Sequence, residues 1–197
     1  MTEMERTRQL LEASKDGTIT AEQLATAGLH RNNLHVLAAN GEIYRFGRGI
    51  YVRADSWEDD LYLLQQKYSR GIYSHETALY LLGYTDRTPA QYTMTFPKGY
   101  NAPSLKQENI RVRRTIPQNY TLGITETTSP CGNPLQIYNL ERTLCDILRG
   151  NGTDVQIIVD AMKRYAASKE KDIYKLMEYA DQLHVKSKVL HYMEVLL

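Results

Sequence analysis

Cysteine is scarce: Cys131 and Cys145 are the only two in 197 residues. They do not form a CxxC pair and no histidine pair sits near them in sequence, so a structural zinc site is not expected and two free thiols are. No apolar run approaches the ~18 residues that a membrane span needs. Met1 to Leu11 is charged and has no apolar signal core, which points to a cytoplasmic protein. Phenylalanine and tryptophan are rare, two and one against 15 tyrosines, so most rings carry a hydroxyl that must stay wet or bonded. Net charge is nearly absent, with 24 Lys and Arg against 23 Asp and Glu. Overall charge therefore gives no reason to expect nucleic-acid binding, and any phosphate-binding surface has to be local.

Catalytic signatures are missing too. There is no GxxxxGK[ST], no GxSxG and no HExxH. No Glu is followed two residues later by Lys or Gln, so a nuclease core of the PD-(D/E)xK kind lacks its second half. His75-Glu76 opens a helical stretch, where Glu suits the helix dipole better than catalysis. Glu141 and Asp146 are five apart and share a helix face poorly. His184 and His191 lack a third ligand. The expectation is a protein that is not an enzyme and holds no metal or cofactor.

What the chain does have lies near its N-terminus. Met4 to Ser14 carries a helix pattern, Lys15-Asp16-Gly17 a turn, and Ile19 a short strand. Thr20 and Gln23 form a capping box for a helix that Gly28 ends. Leu29 to Asn40 reads as the next helix, with Leu34, Leu37 and Ala38 inward. Ile43–Phe46 and Gly49–Val52 read as a hairpin around Gly47-Arg48. Together these spell a winged helix-turn-helix, which offers one helix to a DNA major groove and a basic wing to the phosphates.

Charge distribution supports that reading. From His30 to Arg53 there are four arginines and one acid, Glu42. Arg31, Asn32, Asn33 and His35 lie in the first turns of the second helix. Arg suits guanine and Asn adenine, although Asn32 and Asn33 would equally serve phosphate contact or capping. Arg45, Arg48 and Arg53 are the wing candidates, with Arg48 at the tip. Tyr44 and Tyr51 either donate to phosphate or pack the sheet. Winged helices also serve as protein-interaction modules.

Ser56 is expected to cap a bridging helix over 57–70, with Trp57, Leu61, Leu64 and Tyr68 at helical spacing. This divides the chain into a DNA-binding domain, 1–56, and a C-terminal domain, 57–197. The second domain reads as a helix over Ser74–Leu82, strands near 91–96, 110–114, 124 and 135–138, then helices from Asn139 on. Gly150-Asn151-Gly152 breaks that helical series, and Thr153 with Gln156 is a second capping box. The last helix carries Val189, Leu190, Met193 and Leu197. The fold class is thus α/β (α+β), a winged helix followed by a mixed domain that ends in a helical bundle. A second basic surface, Lys98, Lys106, Arg111, Arg113 and Arg114, faces only Glu108 in sequence. It is either a solvated strand face or a site for DNA, RNA or an acidic protein. Arg142 and Asp146 stand i, i+4, the spacing of an ion pair within one helix.

The winged helix, SHETALYLLGYTD (74–86), MTFPKGY (94–100) and YNLERTLCDILRG (138–150) together resemble the AbiEi family of antitoxins, over nearly the whole chain. The resemblance implies the antitoxin half of a bacterial abortive-infection toxin–antitoxin pair of type IV, a system of phage defence. It implies a transcription repressor whose winged helix binds inverted repeats in its own promoter. It implies a C-terminal domain that counteracts a nucleotidyltransferase toxin without needing a stable complex with it. Operator contacts then fall on Arg31, Asn32, Asn33, Arg45 and Arg48. The expected state is a monomer in solution and two copies on DNA. The alternative is a winged-helix regulator with a ligand- or partner-sensing second domain and no toxin. A further rival is a nucleic-acid-modifying protein that uses the basic strand region.

Overall fold

The alternation of short strands and capped helices folds into two units, each with its own sheet. The computed structural model describes residues 1–14, 16–56, 58–150 and 152–196. Lys15, Trp57, Asn151 and Leu197, which enter the turn, helix and helix-break expectations, lie outside the described residues.

Unit 1 comprises Met1–Ser69 and Ser129–Asn133. Its order is α1 (Glu3–Glu12), β1 (Thr18–Thr20), α2 (Ala21–Thr26), α3 (Asn32–Ala39), β2 (Ile43–Gly47), β3 (Ile50–Arg53) and α4 (Asp60–Lys67). Three antiparallel strands run in the order β1-β3-β2, the sheet of a winged helix. The Thr20–Gln23 capping box is formed, with both reciprocal bonds. It fixes where α2 leaves β1. Gly28 ends the α2 turn at φ 67, a conformation other residues adopt at a cost. Leu11, Ile19, Leu24, Leu34, Leu37 and Ile43 close one core under α1–α3.

Two expectations shift. The second helix begins at Asn32, not Leu29, because Leu29 turns into the core and Arg31 is the N-cap. The helix expected from Ser56 begins at Asp60 and is capped by Asp59. It belongs to unit 1, which therefore runs past the expected boundary at residue 56. The reason is packing: Leu63 is fully buried with Ile50 and Val52 of the wing. Residues 129–133 join unit 1 through Asp59, whose carboxylate accepts from Ser129 Oγ and Asn133 Nδ2.

Unit 2 comprises Arg70–Thr128 and Pro134–Leu197. Five strands run β6-β5-β4-β8-β7: β4 (Ile72–Tyr73), β5 (Tyr92–Pro97), β6 (Ile110–Thr115), β7 (Ile124–Thr128) and β8 (Pro134–Tyr138). The β5–β6 and β4–β8 pairs are parallel and the others antiparallel. The helices are α5 (His75–Leu81), α6 (Pro117–Thr121), α7 (Leu140–Arg149), α8 (Val155–Ala167), α9 (Ile173–Gln182) and α10 (Lys186–Leu196). Helix α7 packs against α5, α8, α9 and α10, so it is buried nearly all round, from Glu141 to Leu148. Asp154, not Thr153, caps α8. Leu190, expected inside, is exposed, while Val189 and Met193 fill the core. The tyrosines do the work of phenylalanine here. Tyr73, Tyr138 and Tyr165 are fully buried, and Tyr138 and Tyr165 bond their hydroxyls to Tyr120 O and Glu141.

Candidate nucleic-acid interface

Helix α3 is anchored by one face and leaves the other bare. Leu34 and Leu37 are fully buried, while Arg31, Asn32, His35, Val36 and Ala39 are exposed. Residues 32, 35, 36 and 39 follow the i, i+3, i+4, i+7 spacing, so they share one stripe. Val36 is 39% exposed on it, a residue the sequence reading passed over because an apolar side chain looks like core. On a reading helix such a side chain suits a thymine methyl. His35 stands edge-on to the buried Tyr51 ring, which steadies its orientation.

Asn33 does not join this stripe. It is 9% exposed, and its Nδ2 donates to Thr7 Oγ1 of α1 at 2.9 Å. Its amide is spent inside the unit, so it leaves the set of operator contacts.

The wing divides in the same way. Arg45 and Arg48 are exposed at the hairpin's closed end, where Gly49 takes φ 75. Arg45 Nε donates to Gly47 O, which holds its stem along the turn and leaves the rest of the fork outward. Arg53 sits at the open end, opposite Ile43, and pairs with Asp55. Arg8 and Glu42 pair nearby through two 2.8 Å bonds, and the Arg8 fork, then Asn40, holds the Glu42 carboxyl down to about 2. Arg53, Asp55, Glu12 and Glu42 line one hollow of mixed charge. Arg53 is thus engaged with Asp55 at the open end and stands away from the tip that carries Arg45 and Arg48. Tyr51 packs in the core, and Tyr44 donates its hydroxyl to Glu58, so neither is free for phosphate. Burial, then Glu58, pushes the Tyr44 hydroxyl up to about 12.

Residues 5–54, which carry all of this surface, match the family model described as "Transcriptional regulator, AbiEi antitoxin". The N-terminal part of the chain is thus similar to the regulators that this model describes. Among solved structures, the RV2827C protein from Mycobacterium tuberculosis is similar, with a TM-score of 0.53 at 14% identity, covering 98% of this chain and 81% of that one. At that identity the likeness is one of fold: a mixed α/β chain with two sheets. No curated protein matches the sequence. Among the described residues no helix is long and apolar enough to cross a membrane, and no three His, Cys, Asp or Glu side chains are placed to hold a metal ion. Cys131 is exposed and Cys145 buried, both free.

The second basic set lies in unit 2, where the residues part company. Arg113 and Arg114 line one cavity, with Arg142, Arg149, His75 and Asp146. Arg111 turns to Glu76 at 3.8 Å. Lys98 and Lys106 are exposed and lie outside the cavity lining. The expected Arg142–Asp146 pair is present at 3.1 Å and fully enclosed. Arg142 also donates to the carbonyls of Asn119 and Leu122 and lies 4.1 Å over the Tyr138 ring. It ties α7 to α6, to the residue that follows it and to β8.

Proposed function

We propose that the chain represses its own operon and serves as the antitoxin of a nucleotidyltransferase toxin. The observation that carries the reading is the bare face of α3 beside the exposed wing tip. Asn32, His35 and Val36 read base edges, while Arg31, Arg45 and Arg48 hold phosphates and set the register. Two copies meet on an inverted repeat in the promoter, each covering a half-site, and block transcription there. The family match over residues 5–54 supports a regulator of this kind. The toxin is counteracted by the C-terminal part of the chain, in the cytoplasm, with no stable complex required and no catalysis by this chain.

A salt titration of operator binding tests the interface. Arg48→Ala should weaken binding on every sequence and reduce the slope of log K against log salt by about one phosphate contact. Arg53→Ala, already paired with Asp55, should leave the slope as it is. Equal slopes for wild type and Arg48→Ala would remove the wing from the interface. Growth rescue on coexpression with the neighbouring nucleotidyltransferase gene tests the antitoxin half; no rescue ends that half of the reading.

A further inference from the structure

Unit 2 gathers more arginines around one cavity than it supplies acids to balance. Its cavity of about 140 Å³ is lined by Arg113, Arg114, Arg142 and Arg149 against one carboxylate, Asp146. That carboxylate is committed to Arg142 Nε. Arg113 is half-buried, and its Nε is enclosed with no hydrogen-bond partner among the described residues. Its side chain forms no ion pair among them either. Asp146 attracts Arg113 but also Arg142 and Arg149, so one carboxylate is shared among the cations around the cavity and leaves an excess of positive charge there.

The surroundings narrow what that partner is. Thr95 lines the cavity as a neutral hydroxyl, and the neutral main chain of Gly150 lies at its exposed rim with Arg149 and Arg114. The rim opens to solvent, so a ligand has a way in. Gly152 passes close to the guanidinium ends of Arg113 and Arg111, where a Cβ would lie 3.7 Å from Arg113 Nη2. His75 is in the lining with its Nδ1 3.0 Å from Ser74 Oγ. Burial, then Arg113, Arg142 and Arg111, draws its imidazole down to about 3, so it is neutral and leaves the cationic character to the arginines. A water takes ~30 Å³ of liquid, so the space suits the few oxygens of one tetrahedral oxyanion rather than a nucleoside.

We propose that this cavity is a phosphate-binding site, taking either free phosphate or the phosphoryl end of a nucleotide whose remainder stays outside. Arg113 supplies the principal contact and Arg149 closes the rim. Forked guanidinium–phosphate pairs are among the stronger charge-assisted bonds. The site is lined by residues of unit 2 alone, so its failure would leave the operator reading intact.

Calorimetric titration of the full chain at low salt tests it, with inorganic phosphate, ATP and adenosine as separate probes. Arg113→Met should lower phosphate affinity about tenfold or more, and Arg149→Met by a smaller factor. Arg113→Met should also leave the thermal midpoint close to wild type, since it removes one of several cations that share one carboxylate, whereas an arginine that only holds the fold would lower it. Arg87→Met, at a surface ion pair with Asp154, should bind as wild type does. Binding of phosphate alone identifies the free anion, and binding of ATP but not adenosine identifies the nucleotide. Either supports the site if Arg113→Met abolishes it. No binding of phosphate or ATP, equal binding by Arg113→Met, or adenosine binding as tightly as ATP would overturn it.

Discussion

Unit 1 and unit 2 place the same guanidinium in opposite surroundings. At the wing tip Arg45 and Arg48 are exposed, Arg45 with one bond to Gly47 O, and their removal should cost little stability. In unit 2 Arg142 is 1% exposed and bonded to Asp146, Asn119 and Leu122. Arg113 lies between these extremes, half-buried with an enclosed Nε that bonds nothing among the described residues. A solvated arginine is available to a ligand, a fully bonded one belongs to the fold, and a half-buried one that shares a single carboxylate with its neighbours has charge to spare.

The contrast breaks most visibly at Arg142. Arg142→Met should destabilise unit 2 by about 3–5 kcal/mol, because Asp146 would be left buried without its partner. Burial already pushes the Asp146 carboxyl above its ordinary value, against the pull of Arg142. Urea unfolding reads the loss, and Arg142→Met combined with Asp146→Leu should recover part of it. A loss below about 1 kcal/mol would place Arg142 with the solvated arginines instead.

His75 sharpens the same comparison through pH. Its folded value of about 3 lies below the ordinary 6.5, so between those limits the unfolded chain binds a proton that the folded chain refuses. The group has no effect on stability above pH 6.5. Below it, stability is lost as pH falls toward 3, by up to about 1.4 kcal/mol per pH unit. His75→Asn removes this titration and keeps a residue that tolerates the left-handed φ of 54. Urea midpoints from pH 7 to 4 should fall less steeply in the variant. An identical slope would mean that His75 takes its proton while folded.

How far the sequence could be read follows the range of the interactions. The Thr20–Gln23 box and the IYRFG–IYVR hairpin were legible because their partners are near in sequence. The Arg142–Asp146 pair was legible for the same reason. Strand β4 was not, since its two residues pair only through β5 and β8, far along the chain. The alternation in IRVRRT marks a strand, but which arginines meet a cavity depends on α7 and on Gly150. What residues 129–133 do depends on Asp59, some 70 positions earlier, which accepts from Ser129. The outward face of α3 was half-read: Asn32 and His35 were marked, Val36 was missed, and Asn33 was misplaced.

That misplacement gives the smallest and most local test, between two neighbours of the same type. Asn32 and Asn33 look interchangeable in sequence, yet Asn33 donates to Thr7, 26 positions earlier, and Asn32 is exposed. Asn33→Ala should cost roughly 1–2 kcal/mol of stability through the lost buried bond. At a temperature where both variants are folded, it should leave operator affinity close to wild type. Asn32→Ala should leave stability unchanged and lower affinity for the operator more than for unrelated DNA, because a base contact carries sequence information and a fold contact does not. Thermal melts and operator titrations on the two single variants separate these outcomes. If Asn33→Ala melted like wild type and lost operator discrimination, the helix would be turned the other way and its bare stripe would not be the one that reads DNA.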